Sequence, residues 1–126
     1  MRFETTTVAG AGRGNGLGFP TINFNIQPEV GLSLQEGIYA ARVTIAKETY
    51  PAALYYGSIP TFGQKERSLE AYIINAPLFY AGPGESAQIE PVKFIRGVQE
   101  FSSPDLLMLQ MEKDVAEIKK VLHLES

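Results

Sequence analysis

Between Gly10 and Gly18 every second residue is glycine, and the run passes directly into Phe19-Pro20-Thr21-Ile22-Asn23-Phe24. A backbone without Cβ atoms takes positive φ readily and lets a ligand come close to its amides. Bare N–H groups in successive turns form a concavity for anions, and Arg13 adds a fixed positive charge there. The stretch reads as a phosphate loop, and the residues after it decide its kind. A dinucleotide fingerprint needs G-x-G-x-x-G and a P-loop G-x-x-x-x-G-K-[ST]; neither spacing closes from any glycine in the run. Both motifs also open a helix. Here the β-branched and aromatic residues after Gly18, with Pro20 fixing its own φ and Pro28 soon after, favour extended chain. Thr21 and Asn23, two apart on a strand, then share a face. Their hydroxyl and amide oxygens suit a hydrated magnesium ion and its phosphates.

The rest of the chain alternates as strands do. Residues 3–8 are threonine-rich and lead into the glycine run. Residues 27–36, with Pro28, Gly31 and mixed polarity, read as a connecting loop. In residues 37–46 Tyr39, Ala41, Val43 and Ile45 fall on one face and Arg42 and Thr44 on the other, so one face is buried. Residues 49–56 form the next strand, with Pro51 expected at its start or on an edge. Residues 57–67 read as turn and polar loop, 69–74 as strand, 75–84 as loop and 87–95 as strand, with Pro91 marking an edge or a bulge. Ser103-Pro104-Asp105 supplies an N-cap, a proline at the first helical position and an acid in the first turn. Leu107, Met111, Val115, Ile118 and Leu122 then recur at helical spacing, with Lys119 and Lys120 near the end. The pattern predicts an all-β domain with one C-terminal helix. A small antiparallel barrel over about residues 1–101 carries a helix over about 103–123, within one domain spanning 1–126.

Charge and composition remove several functions. A net charge of −3 gives no basic footprint for nucleic acid, and no apolar run is long enough to span a membrane. The chain has no cysteine and one histidine, which excludes thiolate chemistry and disfavours a histidine metal site or a catalytic triad. Met1-Arg2-Phe3-Glu4-Thr5 lacks the apolar core of a signal peptide, so the expected location is the cytoplasm. Glu70 stands out as an acid in the apolar run Leu69 to Ile74, where a carboxylate is expensive unless it faces a polar site. From the pattern alone two readings of it stand open: a general base, or a solvated residue on an edge strand with its face reversed.

Residues 12–23 resemble the glycine-rich loop and Pro-Thr-Ala-Asn motif of riboflavin kinases, including the kinase half of bifunctional flavokinase/FAD synthetases. Gly37-Ile38-Tyr39-Ala40, the run 57–62, Leu69-Glu70, Val92-Lys93-Phe94-Ile95-Arg96 and a terminal helix follow in that family's order. The resemblance implies a six-stranded Greek-key barrel and transfer of the ATP γ-phosphate to the riboflavin 5′-hydroxyl, with magnesium as cofactor. Its small-molecule partners are then riboflavin/FMN and ATP/ADP, and it points to a place within a larger bifunctional flavin enzyme. It gives Glu70 the role of base toward the ribityl hydroxyl, and Thr21 and Asn23 the magnesium and phosphate contacts. Gly12, Arg13, Gly14, Gly16, Gly18 and Pro20 become the flap over the nucleotide phosphates, and Arg96 stands ahead of a flavin-side flap. The chain departs from the family at Tyr55-Tyr56 before Gly57, where Asn-Ile is usual, and across residues 75–88. A catalytically weak flavin- or nucleotide-binding module of the same fold is the alternative.

Overall fold

A computed structural model describes residues 1–9, 21–58, 67–76 and 81–123. Six strands, β1 (Phe3–Val8), β2 (Ile22–Phe24), β3 (Gly37–Ile45), β4 (Glu48–Ser58), β5 (Arg67–Ile73) and β6 (Ser86–Arg96), close into a barrel in the order β1-β2-β5-β4-β3-β6. All pairings are antiparallel. Strands β3, β4 and β5 form a meander, and β6 returns through a long connection to lie beside β3, which is a Greek key.

Alternation along each strand sorts the apolar residues into two clusters. Tyr39, Ala41, Val43 and Ile45 of β3 join Leu54 and Tyr56 of β4, Leu69, Ala71 and Ile73 of β5, and Ile89 of β6 in the barrel interior. Tyr39 and Phe94 meet there edge to face at 5.2 Å. On the outer wall Ile38, Ala40 and Ala53 pack against Met111, Ile118 and Leu122 of helix α2 (Pro104–Val121). Ala40 lies directly opposite Ala53, so small side chains leave a shallow seat for the helix. Strand β3 is thus covered on both faces along its first half. The helix begins as its sequence predicts, with the Ser103 hydroxyl accepting from the Leu106 amide at 3.2 Å.

Four differences from the sequence expectations have physical causes. The segment read as a loop contains a short helix, α1 (Pro28–Ser33), with the proline in its first turn and Val30 wholly buried in the barrel cluster. Pro51 sits inside β4 of a barrel without edges. Its carbonyl accepts from the Ile74 amide just beyond the end of β5, and its missing N–H points to the same side, where the β4–β5 ladder has run out. Ser58 and Arg67, read within a turn and polar loop, are paired in the β4–β5 ladder, and Glu36 ties them together by binding the Ser58 amide and hydroxyl, both at 3.0 Å, and Arg67 Nε at 2.9 Å. Arg67 accordingly holds the Glu36 carboxyl below its ordinary range. In α2 the buried stripe takes Asp114 where spacing suggested Val115. Pro91 does mark a bulge: Ala40 opposes Lys93 while Ala41 opposes Pro91, leaving Val92 extra.

Gly37 opens β3 at φ 154°, and a Cβ there would lie 2.2 Å from the Arg96 carbonyl oxygen. That contact demands glycine. The β3–β4 turn is the opposite case: Ala46 and Lys47 bridge the pair Ile45 and Glu48 at φ 53° and 69° without being glycine. Relief of the left-handed strain at Lys47 exceeds the chain entropy that glycine adds. Lys47→Gly is therefore expected to raise unfolding stability by about 0.5–1 kcal/mol, read as a higher urea midpoint at unchanged slope.

Candidate active site

The centre of the site is Glu70. Parity along β5 turns Leu69, Ala71 and Ile73 inward, and Ser68, Glu70 and Tyr72 to the outer wall. The Glu70 side chain is nonetheless only 5% exposed. Thr21 Oγ1 donates to Oε1 and Ser68 Oγ donates to Oε2, each at 2.8 Å. Two hydroxyls offset part of the desolvation cost of a carboxylate, and among the described residues no cation forms an ion pair with it. Each oxygen keeps capacity to accept a further hydrogen bond. This is a held, water-poor carboxylate that can take a proton.

Register brings the neighbours in. Val8 pairs with Asn23, Asn23 with Glu70, Glu70 with Tyr55, Tyr55 with Ile38, and Ile38 with Arg96, one row of partners through all six strands. Residues directly opposite on antiparallel strands share a face. Asn23, Glu70 and Tyr55 therefore stand side by side on the outer wall, with the Thr21 hydroxyl reaching in from the start of β2. The expectation that Thr21 and Asn23 share a face holds. With its O–H directed at Glu70, the Thr21 hydroxyl oxygen can offer a lone pair toward a cation.

The donor set fits magnesium. Hydroxyl, amide and carboxylate oxygens are hard ligands of the kind that ion takes alongside phosphate oxygens and water. Among the described residues no group of three or more His, Cys, Asp or Glu side chains could hold a metal by itself. A cation held by Thr21 and Asn23 would thus need oxygens from a bound substrate as well.

Tyr55 occupies the other flank of Glu70. Its hydroxyl donates to the Ser58 carbonyl at 2.6 Å, passing over Gly57, where a Cβ would come within 3.0 Å of that oxygen. Burial pushes the phenol up to about 12; the Glu70 and Glu36 carboxylates add to the rise, and Arg96 opposes it. Tyr55 is accordingly a neutral phenol throughout the physiological range.

Arg96 stands at the far end of the row and is engaged elsewhere. Its Nε lies 3.1 and 2.9 Å from the two Asp114 oxygens, and its Nη2 lies 2.8 Å from Oδ2. A further guanidinium nitrogen donates to the Gly97 carbonyl at 3.1 Å, and the group lies 5.7 Å from the centre of the Phe101 ring. Asp114 is 2% exposed and also accepts from Gln110 Nε2 at 3.0 Å. The guanidinium fork joins α2 to the end of β6. Gly12, Arg13, Gly14, Gly16, Gly18 and Pro20 lie outside the described residues. Sequence reasoning did not single out Ser68 or Asp114. The first was signalled by its place two residues before Glu70 on one strand face, the second by an acid at the buried spacing between Met111 and Ile118.

Comparison with known proteins adds three findings. Residues 1–122 match the family model described as flavokinase, riboflavin kinase. The trifunctional protein RibF/MnmA of Mycoplasmoides gallisepticum is 30% identical over 109 residues, which is 86% of this chain and 16% of that protein. The bifunctional riboflavin kinase/FMN adenylyltransferase of Listeria monocytogenes is 32% identical over 111 residues, 86% of this chain and 34% of its own length. The chain therefore spans about a third or less of these two curated relatives. In fold, it superimposes on the crystal structure of a riboflavin kinase from Trypanosoma brucei with a TM-score of 0.69 at 22% identity, covering 97% of this chain and 79% of that one.

Proposed function

Since the chain belongs to the riboflavin kinase family, we propose that it transfers the γ-phosphoryl group of ATP to the 5′-hydroxyl of riboflavin, giving FMN and ADP. The observation that carries this reading is the Glu70 carboxylate held by Thr21 and Ser68 beside Asn23. Phosphoryl transfer asks little covalent work of a protein. It needs positioning, neutralised charge and a base at the acceptor hydroxyl.

Glu70 takes the proton of the 5′-hydroxyl as that oxygen attacks the γ-phosphorus. The bond to the β–γ bridging oxygen breaks, and ADP leaves with the electron pair. Thr21 and Ser68 hold the carboxylate in one orientation, so no reorganisation is needed when the acceptor arrives. Thr21 and Asn23 would hold magnesium together with the phosphates. When bound, the ion neutralises charge on the phosphate oxygens. By its sequence the glycine run with Arg13 and Pro20 would cradle those phosphates. For Arg96 the ion pair with Asp114 favours a part in seating the helix over direct contact with a ligand.

The test is to incubate the purified chain with riboflavin, ATP and magnesium and to separate the flavins. FMN is the expected product. Riboflavin binding without FMN would make the chain a flavin-holding module, and neither binding nor product would end the kinase reading. Asn23→Ala is expected to weaken magnesium affinity in the nucleotide complex by about 10- to 100-fold, read as a higher magnesium requirement for turnover. Riboflavin binding without nucleotide should stay as it was. An unchanged magnesium requirement would remove Asn23 from the ion.

A further inference from the structure

The geometry points to Tyr55 as the residue that receives the ring system of the acceptor and so helps to set acceptor specificity. This inference rests on the kinase reading above. In-line phosphoryl transfer places the attacking and leaving oxygens on opposite sides of the transferred group. The phosphate-side oxygens, Thr21 and Asn23, flank Glu70 on its β2 side. An acceptor hydroxyl in reach of Glu70 then has the rest of its molecule on the β4 side, and the residue directly opposite Glu70 on β4 is Tyr55.

What stands there is built to stay in place. Tyr55 is half-buried against the cluster under α2, and its hydroxyl is fixed on the Ser58 carbonyl at 2.6 Å. Its ring runs along β4 over Gly57, the only residue type that clears the Tyr55 hydroxyl and Val98 at that point. Val98, which is exposed, borders the same spot and extends the apolar surface. A rigid phenol ring beside an apolar side chain, one strand from the base, suits a flat aromatic acceptor better than a sugar or a small alcohol. Among the described residues the Tyr55 hydroxyl donates to a backbone carbonyl and meets no charged side chain, so the ring offers a π-face and little polar recognition.

The experiment uses riboflavin itself as probe. A tyrosine ring in contact with a flavin quenches its fluorescence by electron donation, whereas phenylalanine does not. Wild-type protein is expected to quench bound riboflavin. Tyr55→Phe should keep the affinity within about threefold while relieving the quench, and Tyr55→Leu should raise the riboflavin KM about tenfold with the ATP KM unchanged. A role confined to holding the fold would instead lower thermal stability without moving one KM apart from the other. If the wild type makes FMN and both variants keep its quench and its riboflavin KM, Tyr55 has no such role and the kinase reading survives. If the wild type binds no riboflavin and makes no FMN, the kinase reading fails and this inference falls with it.

Discussion

Replacing Glu70 with glutamine is expected to lower the rate of FMN formation by roughly 10²- to 10⁴-fold while leaving the barrel folded. Glutamine has the size of glutamate and its amide keeps both neighbours: the carbonyl oxygen accepts from Thr21 Oγ1, and the NH2 group donates to Ser68 Oγ with that hydroxyl turned round. What disappears is the capacity to take a proton. Riboflavin and ATP should therefore bind as before, and the loss should appear in single-turnover rates instead of in either KM. A Glu70→Gln protein with nearly native turnover would move the base elsewhere. Thr21→Val makes an instructive companion, because it removes the donor on Oε1 and leaves the carboxylate able to act but free to turn.

The largest effect on stability is expected at Arg96. The Arg96→Gln substitution leaves Asp114, 2% exposed, with Gln110 as its remaining partner among the described side chains. Removing one member of a buried pair typically costs about 3–5 kcal/mol, because the surviving charge is stranded. For a chain of this size that is a fall in melting temperature of roughly 10–20 °C. Adding Asp114→Asn should recover most of the loss, since two amides strand no charge, and the double-mutant cycle measures the coupling directly. Were Arg96 instead a ligand contact with no structural role, the melting temperature would hold and substrate affinity would fall.

The sequence discloses this protein unevenly, and the reasons are local. Strand β1 and the faces of β3 are legible because alternation is a period-2 signal that survives without any tertiary context. The cap of α2 is legible because Ser103, Pro104 and Asp105 act on the helix end they precede. Helix α1 is not, since its six residues carry a proline and a glycine and owe their place to Val30 filling the barrel. Position 51 misleads for a similar reason: proline disfavours a central strand in general, and whether a ladder ends beside it is decided by the partner strand. Within the site, Thr21, Asn23 and Glu70 were each suggested by residue type and motif. That Asn23 faces Glu70 follows from the β2–β5 register, which joins strands 47 residues apart at that pair and leaves no local trace. Arg96 shows the same limit. The resemblance alone gives it a place ahead of a flavin-side flap, while the acid that engages it lies 18 residues on, in a helix, and leaves no local trace beside it.

The barrel wall carries its two duties on alternate residues. Leu69 and Ala71 face the interior, and Glu70 between them faces out to Thr21 and Asn23. For an engineer this amounts to two separate alphabets written on one strand. Substitutions at Val43, Leu54 or Ile89 alter how the lumen is filled, whereas on the proposed kinase reading those at Asn23, Tyr55 or Glu70 are expected to alter what is done to a substrate, and none of these three lies in the lumen cluster. A thermostable variant and a variant of altered acceptor preference can be sought in independent libraries and then merged in a single gene.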